Sequence, residues 1–388
     1  MKTPAVSVSR RRTLAAVAGA SALAGLRVAA AAVPVRGAGA AAPIRIGQSL
    51  PLTGPLAAVV KPIAEGQKAL LDELNAEGGV RGAPIELLTL DDGAQPDRTA
   101  TNTHRLIEED KVTALFGYAF VPGLLRALPL ANEKGVPLLG VYNGADIART
   151  KDNPSLFTTT ASLADEVSAM VRNLASLNSR KLALAFQNNE LGRYMRPLVE
   201  AAVQQQQGSL VITVPLEPDG SNASEAAQAV AAKAPEAILL LAAGAAVLGF
   251  MKSLPASARV SVYALSLAGT TALLEQIGPA ARGMAFTQVV PYPQRQTTPL
   301  TRRFAASMAK ARLEPTYDRM WGYLNASVLA ETLKRSGANP TPATVYAALE
   351  KMTDLDIGGY RLSYGPNRHH GSSFVEITVV DHKGRFVR

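Results

Sequence analysis

At 388 residues the chain is long enough to bury a sizeable core and to divide into two lobes. Its net charge of +9 is concentrated at one end: Lys2, Arg10, Arg11, Arg12, Arg27 and Arg36 precede residue 43 with no acidic residue among them, leaving 34 basic against 31 acidic residues. That remainder has no basic stripe with interleaved aromatics, which argues against a nucleic-acid partner, and the absence of cysteine removes disulfides, thiolate metal sites and a lipid-bearing cysteine together.

The opening "SRRRTLAAVAGASALAG" sets three arginines before an Ala/Gly/Leu run. It resembles a twin-arginine export signal, Ser9-Arg10-Arg11-Arg12-Thr13-Leu14, with Thr13 where Phe is commoner. An anchor helix is the poorer reading, because Arg27 interrupts a stretch already short of the ~20 apolar residues that span a bilayer. Residues 1–42 are therefore assigned to an export signal, cleaved near Ala38-Gly39-Ala40 or Ala30-Ala31-Ala32. A soluble, periplasmic protein is expected.

From residue 43 strand-like and helix-like patterns alternate. "PIRIGQSL" reads as a strand, "VKPIAEGQKALLDELNAEGG" as a helix stopped by Gly78-Gly79, and "PIELLTLDD" as a strand ending in Asp91-Asp92. A helix over "DRTATNTHRLIEED", a strand in "VTALFGY", a helix in "LLRALPLANEKG" and a strand in "VPLLGVY" follow. This is the βαβ rhythm of a mostly parallel sheet. The rhythm restarts after "LFTTTASLADE" with helices 163–177, 190–206, 221–234 and 245–254 between strands 181–187, "SLVITVPL", "EAILLLAA", "RVSVYAL" and "GMAFTQVV". "QVVPYPQRQTTP" (288–299) is Pro-rich and reads as a crossing segment. Helices 300–311 and 318–336 come next, the second with Asp318 as its N-cap and Gly337 just past its end, then a helix opened by Thr341-Pro342. The chain closes with two strands around the turn Asp381-His382-Lys383-Gly384. The expected fold is α/β: two doubly wound, Rossmann-like lobes.

No catalytic constellation accompanies this scaffold. His104, His369, His370 and His382 lack metal-ligand or carboxylate spacing, and His369-His370 read as a solvated turn. There is no nucleophile elbow, phosphate loop or dinucleotide fingerprint. Asp91-Asp92 fits a cap of the next turn better than a metal site. No enzymatic activity, cofactor or metal is expected.

Open parallel sheets bind ligands beyond the carboxyl ends of their strands. Two facing lobes make those ends the walls of one cleft. The first lobe offers Leu52 and Thr53, then Tyr118, Ala119, Phe120 and Val121, then Tyr142, Asn143 and Gly144. The second offers Asn188 and Leu191, Gly244, and Ser266-Leu267, with Tyr292 on the crossing segment. Each has a structural alternative: Tyr118 and Tyr142 as covers of the sheet end, Asn143 and Asn188 as turn formers, and Trp321, the sole Trp, as core or rim.

"IGQSLPLTGPLA", "NAEGGVRGAPIELLTLDDGAQPDRTATNTHRLIEED", "ALFGY", "GVPLLGVYNGADIAR", "QVVPYP" and "GSSFVEITVVDHKGRFVR" carry a resemblance across residues 43–388. The chain resembles periplasmic solute-binding proteins of ABC transporters, of the branched-chain (Leu/Ile/Val) amino acid type. The resemblance implies a type I bilobal fold with three hinge crossovers near 159–161, 288–293 and 366–373. It places lobe 1 at 43–159 plus 291–368 and lobe 2 at 160–290 plus 369–388. It implies a monomer that closes on a small-molecule ligand and delivers it to an inner-membrane ABC permease; a periplasmic sensor of the same fold, signalling to a membrane kinase or regulator, is the alternative.

In such relatives the loop after the third strand offers Ser or Thr hydroxyls to the ligand carboxylate. Here Val121 and Gly123 stand at both positions, and Leu191 stands where relatives often have Tyr. The acid that would pair with a ligand ammonium falls near Ser266 or Leu267. The polar grip is expected to be missing at both ends. An apolar or aromatic acid, or an amino-acid-like compound held through backbone N–H groups, is the expected ligand.

Overall fold

The computed structural model describes residues 41–388 except Pro55 and Arg259, so the export signal assigned to 1–42 lies almost wholly outside the described residues. The first sheet follows the alternation: β1 (Ile44–Leu50), α1 (Ala57–Ala76), β2 (Ile85–Asp91), α2 (Pro96–Glu108), β3 (Ala114–Phe116), α3 (Val121–Lys134) and β4 (Leu138–Leu139). A two-residue strand with no sequence signature, β5 (Leu156–Phe157), completes it. All its pairings are parallel, in the order β2-β1-β3-β4-β5.

The second sheet is entered through α4 (Leu163–Ser176), whose Ser162 and Asp165 form a reciprocal capping box. There follow β6 (Lys181–Gln187), α5 (Glu190–Gln205), β7 (Ser209–Leu216), α6 (Ala223–Ala232), β8 (Ala237–Leu241), α7 (Gly244–Ser253), β9 (Ser261–Ala264), α8 (Thr271–Ile277) and β10 (Ala285–Gln288). The chain then returns to the first lobe for α9 (Pro299–Ala311), α10 (Tyr317–Arg335), α11 (Pro342–Glu350) and an unforeseen hairpin, β11 (Leu355–Asp356) with β12 (Arg361–Leu362). It ends in the second sheet as β13 (Glu376–Val380) and β14 (Phe386–Val387), which join antiparallel beyond β10. The parallel part of this sheet runs β7-β6-β8-β9-β10, the same winding as the first.

Each sheet is covered on both faces. Leu106, Leu124 and Leu128 from α2 and α3 pack one face of the first sheet. Phe304, Met320, Leu324 and Leu349 from α9, α10 and α11 pack the other, with Ile46, Phe116 and Phe157. In the second sheet Met170 and Val199 cover Leu182 and Leu184, while Val230, Val247 and Phe250 cover Ile238 and Leu240. Strands buried on both faces explain apolar runs such as "AILLL".

Three segments carry the chain between the sheets, and buried tyrosines tie them together. The Tyr360 hydroxyl donates to the Thr159 carbonyl at 2.9 Å and lies 3.4 Å from that of Val289; the Tyr364 hydroxyl donates to the Thr158 carbonyl at 3.1 Å. Thr158 also exchanges backbone bonds with the third segment, donating to the His369 carbonyl at 2.9 Å and accepting from the Gly371 N–H at 2.8 Å. His369 and His370 are therefore not a solvated turn. His369 stacks on Phe157 with ring centroids 4.0 Å apart, and His370 places Nδ1 3.2 Å from the Thr158 hydroxyl and Nε2 3.2 Å from the Arg149 carbonyl. The bridge to the first segment draws the turn inward.

Asp318 is likewise not the cap of α10: the Thr316 hydroxyl accepts from the Arg319 N–H, which leaves Asp318 inside the first turn. The position of that turn depends on how closely α1 and α10 cross. A Cβ on Gly66 would lie 2.0 Å from the Arg319 carbonyl oxygen, and one on Gly322 would lie 1.9 Å from that of Ile63. Backbone meets backbone there, with no side chain to give way. Gly322→Ala is expected to destabilise the protein by about 1–3 kcal/mol or more through overpacking. Urea denaturation checks this; a midpoint equal to that of the parent would contradict the crossing.

Candidate functional site

The strand ends of the two sheets face one another across a cavity of about 200 Å³. From the first lobe it is walled by Val59 and Ile63 of α1, Ala119 and Val121 after β3, Tyr142, Asn143, Gly144 and Ala145 after β4, and Asp318 and Trp321 of α10. From the second come Leu163 and Glu166 of α4, Leu191 of α5, and Ser266, Leu267 and Thr270 after β9. A larger surface groove of about 640 Å³ runs between α1, α10 and the β11–β12 hairpin, but only the first lobe walls it.

Of the residues anticipated for the cleft, Ala119, Val121, Tyr142, Asn143, Gly144, Leu191, Ser266 and Leu267 meet in this cavity. The others are engaged elsewhere. Tyr118 is buried under the sheet end, its hydroxyl 2.9 Å from that of Thr103. Phe120 is the N-cap residue of α3. Thr53 bonds to Asp91 through hydroxyl and N–H, and Leu52 is exposed at the outer rim. Asn188 donates to Glu217 at 2.8 Å, Gly244 opens α7, and the Tyr292 hydroxyl donates to the Phe386 carbonyl at 2.8 Å. Gly123 also points away: a Cβ there would lie 2.3 Å from the Thr99 hydroxyl, so the residue answers to α2–α3 packing and not to a ligand. Asp91 and Asp92 close turns, accepting from Leu52, Thr53, Gly93, Ser49, Ala94 and Thr99. Among the described residues no group of three or more metal-ligating side chains converges.

The wall residues that sequence reasoning did not place there are mostly helical. Val59 and Ile63 look like ordinary core positions, and Glu166 like a first-turn acid. Their spacing marks a buried face without saying that part of it opens on a cavity. Tyr142, by contrast, is held upright from below: its hydroxyl donates to Gln67 Oε1 at 2.8 Å, and Gln67 donates in turn to Gln48 at 2.8 Å. Trp321 meets the Tyr142 ring edge-on with centroids 6.0 Å apart. Its indole N–H is buried without an acceptor, an omission that costs about 1–3 kcal/mol.

Two carboxyl groups face the cavity, Glu166 and Asp318, both supplied by helices and neither by the loop after β9. Glu166 receives the Ser266 N–H at 2.8 Å, the Ser266 hydroxyl at 3.0 Å and the Thr287 hydroxyl. Burial pushes its carboxyl up, while these hydrogen bonds and the nearby Arg149 oppose the rise. Arg149 does not line the cavity; its guanidinium donates to the Thr160 and Ala161 carbonyls at 3.0 Å each, and burial lowers its pKa. Asp318 has no such support. Solvent still reaches part of its side chain, yet the carboxyl lies among protein atoms, and burial pushes it up to about 7, with Arg319 only partly offsetting this. Arg319 is drawn to Glu65 at 2.7 Å.

A carboxyl whose pKa is raised by folding weakens the fold as it ionises. The unfolded chain loses this proton near its ordinary value of 3.8, the folded chain near 7, so the stability cost grows as pH rises between them and is constant above. Asp318→Asn is expected to stabilise the ligand-free protein by roughly 1–3 kcal/mol at pH 8 and by little at pH 4. Paired chemical denaturation at the two pH values tests it; a gain independent of pH would refute the assignment.

Comparison with known proteins agrees with this fold. A family model described as "Periplasmic binding protein" matches residues 43–385. An extracellular ligand-binding receptor from Verminephrobacter eiseniae superposes with a TM-score of 0.82 at 28% identity, covering 89% of this chain and 100% of that one. A possible leucine/isoleucine/valine-binding protein from Rhodopirellula baltica gives 0.80 at 25% identity, over 90% and 97% of the two chains. An amino acid binding protein of Pseudomonas aeruginosa is 29% identical over 91 residues, 24% of each chain, so the match spans about a quarter of that relative's length. These are binding proteins and receptors, not enzymes. Among the described residues no helix is long and apolar enough to cross a membrane.

Proposed function

Because this chain belongs to the periplasmic binding protein family, we propose that it is an extracytoplasmic receptor that captures one small organic molecule between its lobes and delivers it to an ABC permease. The observation that carries this reading is a single cavity walled by both lobes, with Tyr142, Asp318 and Trp321 on one side and Glu166, Leu191 and Ser266 on the other. A ligand touching both walls gains its full contacts only when they approach. Binding then shifts an open–closed equilibrium by the difference in affinity between the two states. The closed form presents the surfaces that a permease reads.

The cavity volume of about 200 Å³ suits a ligand of amino-acid size. Its walls suit an apolar or aromatic body, the part common to an aromatic acid and an amino-acid-like compound. The protein acts as a monomer in the periplasm, reached through the twin-arginine-like segment Ser9–Leu14.

Mass spectrometry of material released from protein purified out of the native periplasm is expected to yield one dominant small molecule. Adding it back to stripped protein is expected to reduce the radius of gyration in small-angle scattering. Tight binding with no contraction would rule out clamp closure.

A further inference from the structure

The cavity lining holds Glu166 and Asp318 and no lysine, arginine or histidine. The two carboxyls differ in what they have left to offer. Glu166 is committed to Ser266 and Thr287, so its main task is to fix the loop after β9. Asp318 accepts no hydrogen bond from any described residue, and the neighbouring guanidinium of Arg319 turns to Glu65. Asp318 and Trp321 are three residues apart on α10 and therefore share one face of the helix, the face that meets the cavity. Trp321 and Tyr142 supply aromatic surface beside an unpaired acid.

A ligand carboxylate placed here would meet two acids and no compensating cation. A protonated amine would meet a free acceptor and the electron-rich ring of Trp321 at once. Resting on the receptor reading above, we propose that the head group recognised in this cleft is a protonated amine, paired with Asp318 and lying against Trp321, on an apolar or aromatic body. Asp318 is then the residue that selects amines over acids of the same skeleton.

Matched pairs of probes test this on the intact protein: benzylamine with phenylacetate, phenethylamine with phenylpropionate, and isoamylamine with methylpentanoate. Trp321 is the only tryptophan in the chain, so its emission reports occupancy of this wall directly. Amines are expected to shift the emission saturably and to bind by calorimetry at least tenfold more tightly than their matched acids. Asp318→Asn is expected to lose at least tenfold in amine affinity with unchanged circular dichroism, and Asp318→Glu to recover part of it. Acids binding in place of amines, amine binding indifferent to Asp318→Asn, or no response to either series would each overturn the assignment. Acids that bind and contract the protein would remove the amine preference and leave the receptor reading intact. Amines that bind through Asp318 without contraction would do the reverse.

Discussion

The joining of the two walls of the cleft rests first on the hydroxyl of Tyr360. The segments that pass between the sheets have left one ladder and not yet joined another, so their carbonyls need donors from side chains. Tyr360 reaches two of the three crossings, through Thr159 and Val289, and Tyr364 takes the carbonyl of Thr158. The third crossing is drawn in by the bridge between Thr158 and His370. A few bonds at one place thus tie together the segments that join the carboxyl ends of two separately wound sheets.

The two walls are polar in different ways. Ser266 and Thr287 satisfy Glu166, which makes it part of the scaffold although it borders the cavity. Asp318 accepts no hydrogen bond from a described residue and the Trp321 indole N–H is buried without an acceptor, on a helix whose crossing with α1 is fixed by Gly66 and Gly322. An unmet donor held on a rigid element is a cost to the empty protein. This asymmetry is what the amine proposal draws on.

Much of the architecture was readable from periodicity. Long strands such as β1 and β6 and the helices between them follow the alternation of apolar runs, and the strand-end loops after β3, β4 and β9 do border the cavity. The unreadable parts have physical reasons. β5, β11 and β12 are two residues long, too short for any period to register. Asp318 imitates an N-cap because Thr316, two residues earlier, is an equally good one, and only geometry chooses between them. Glu166 sits in the first turn of α4, where acids are common for reasons unrelated to ligands. Tyr118 and Gly123 belong to the expected loop in sequence, yet the turn into α3 directs them inward, towards Thr103 and Thr99. Proximity along the chain identified the loops; it did not identify which side chains those loops expose.

The touching backbones of α1 and α10 have a mechanical corollary. Sliding one helix by a single residue would drive a side chain into a carbonyl group, so this half of the groove behaves as an anvil with no soft coordinate of its own. The clamp closure proposed for this receptor then belongs to rotation about the connecting strands, with the opposite half acting as the hammer. Val59, Ile63, Asp318 and Trp321 are the tips mounted on the anvil, whose spacing stays set by two hydrogen atoms where any other residue would carry a methyl or more.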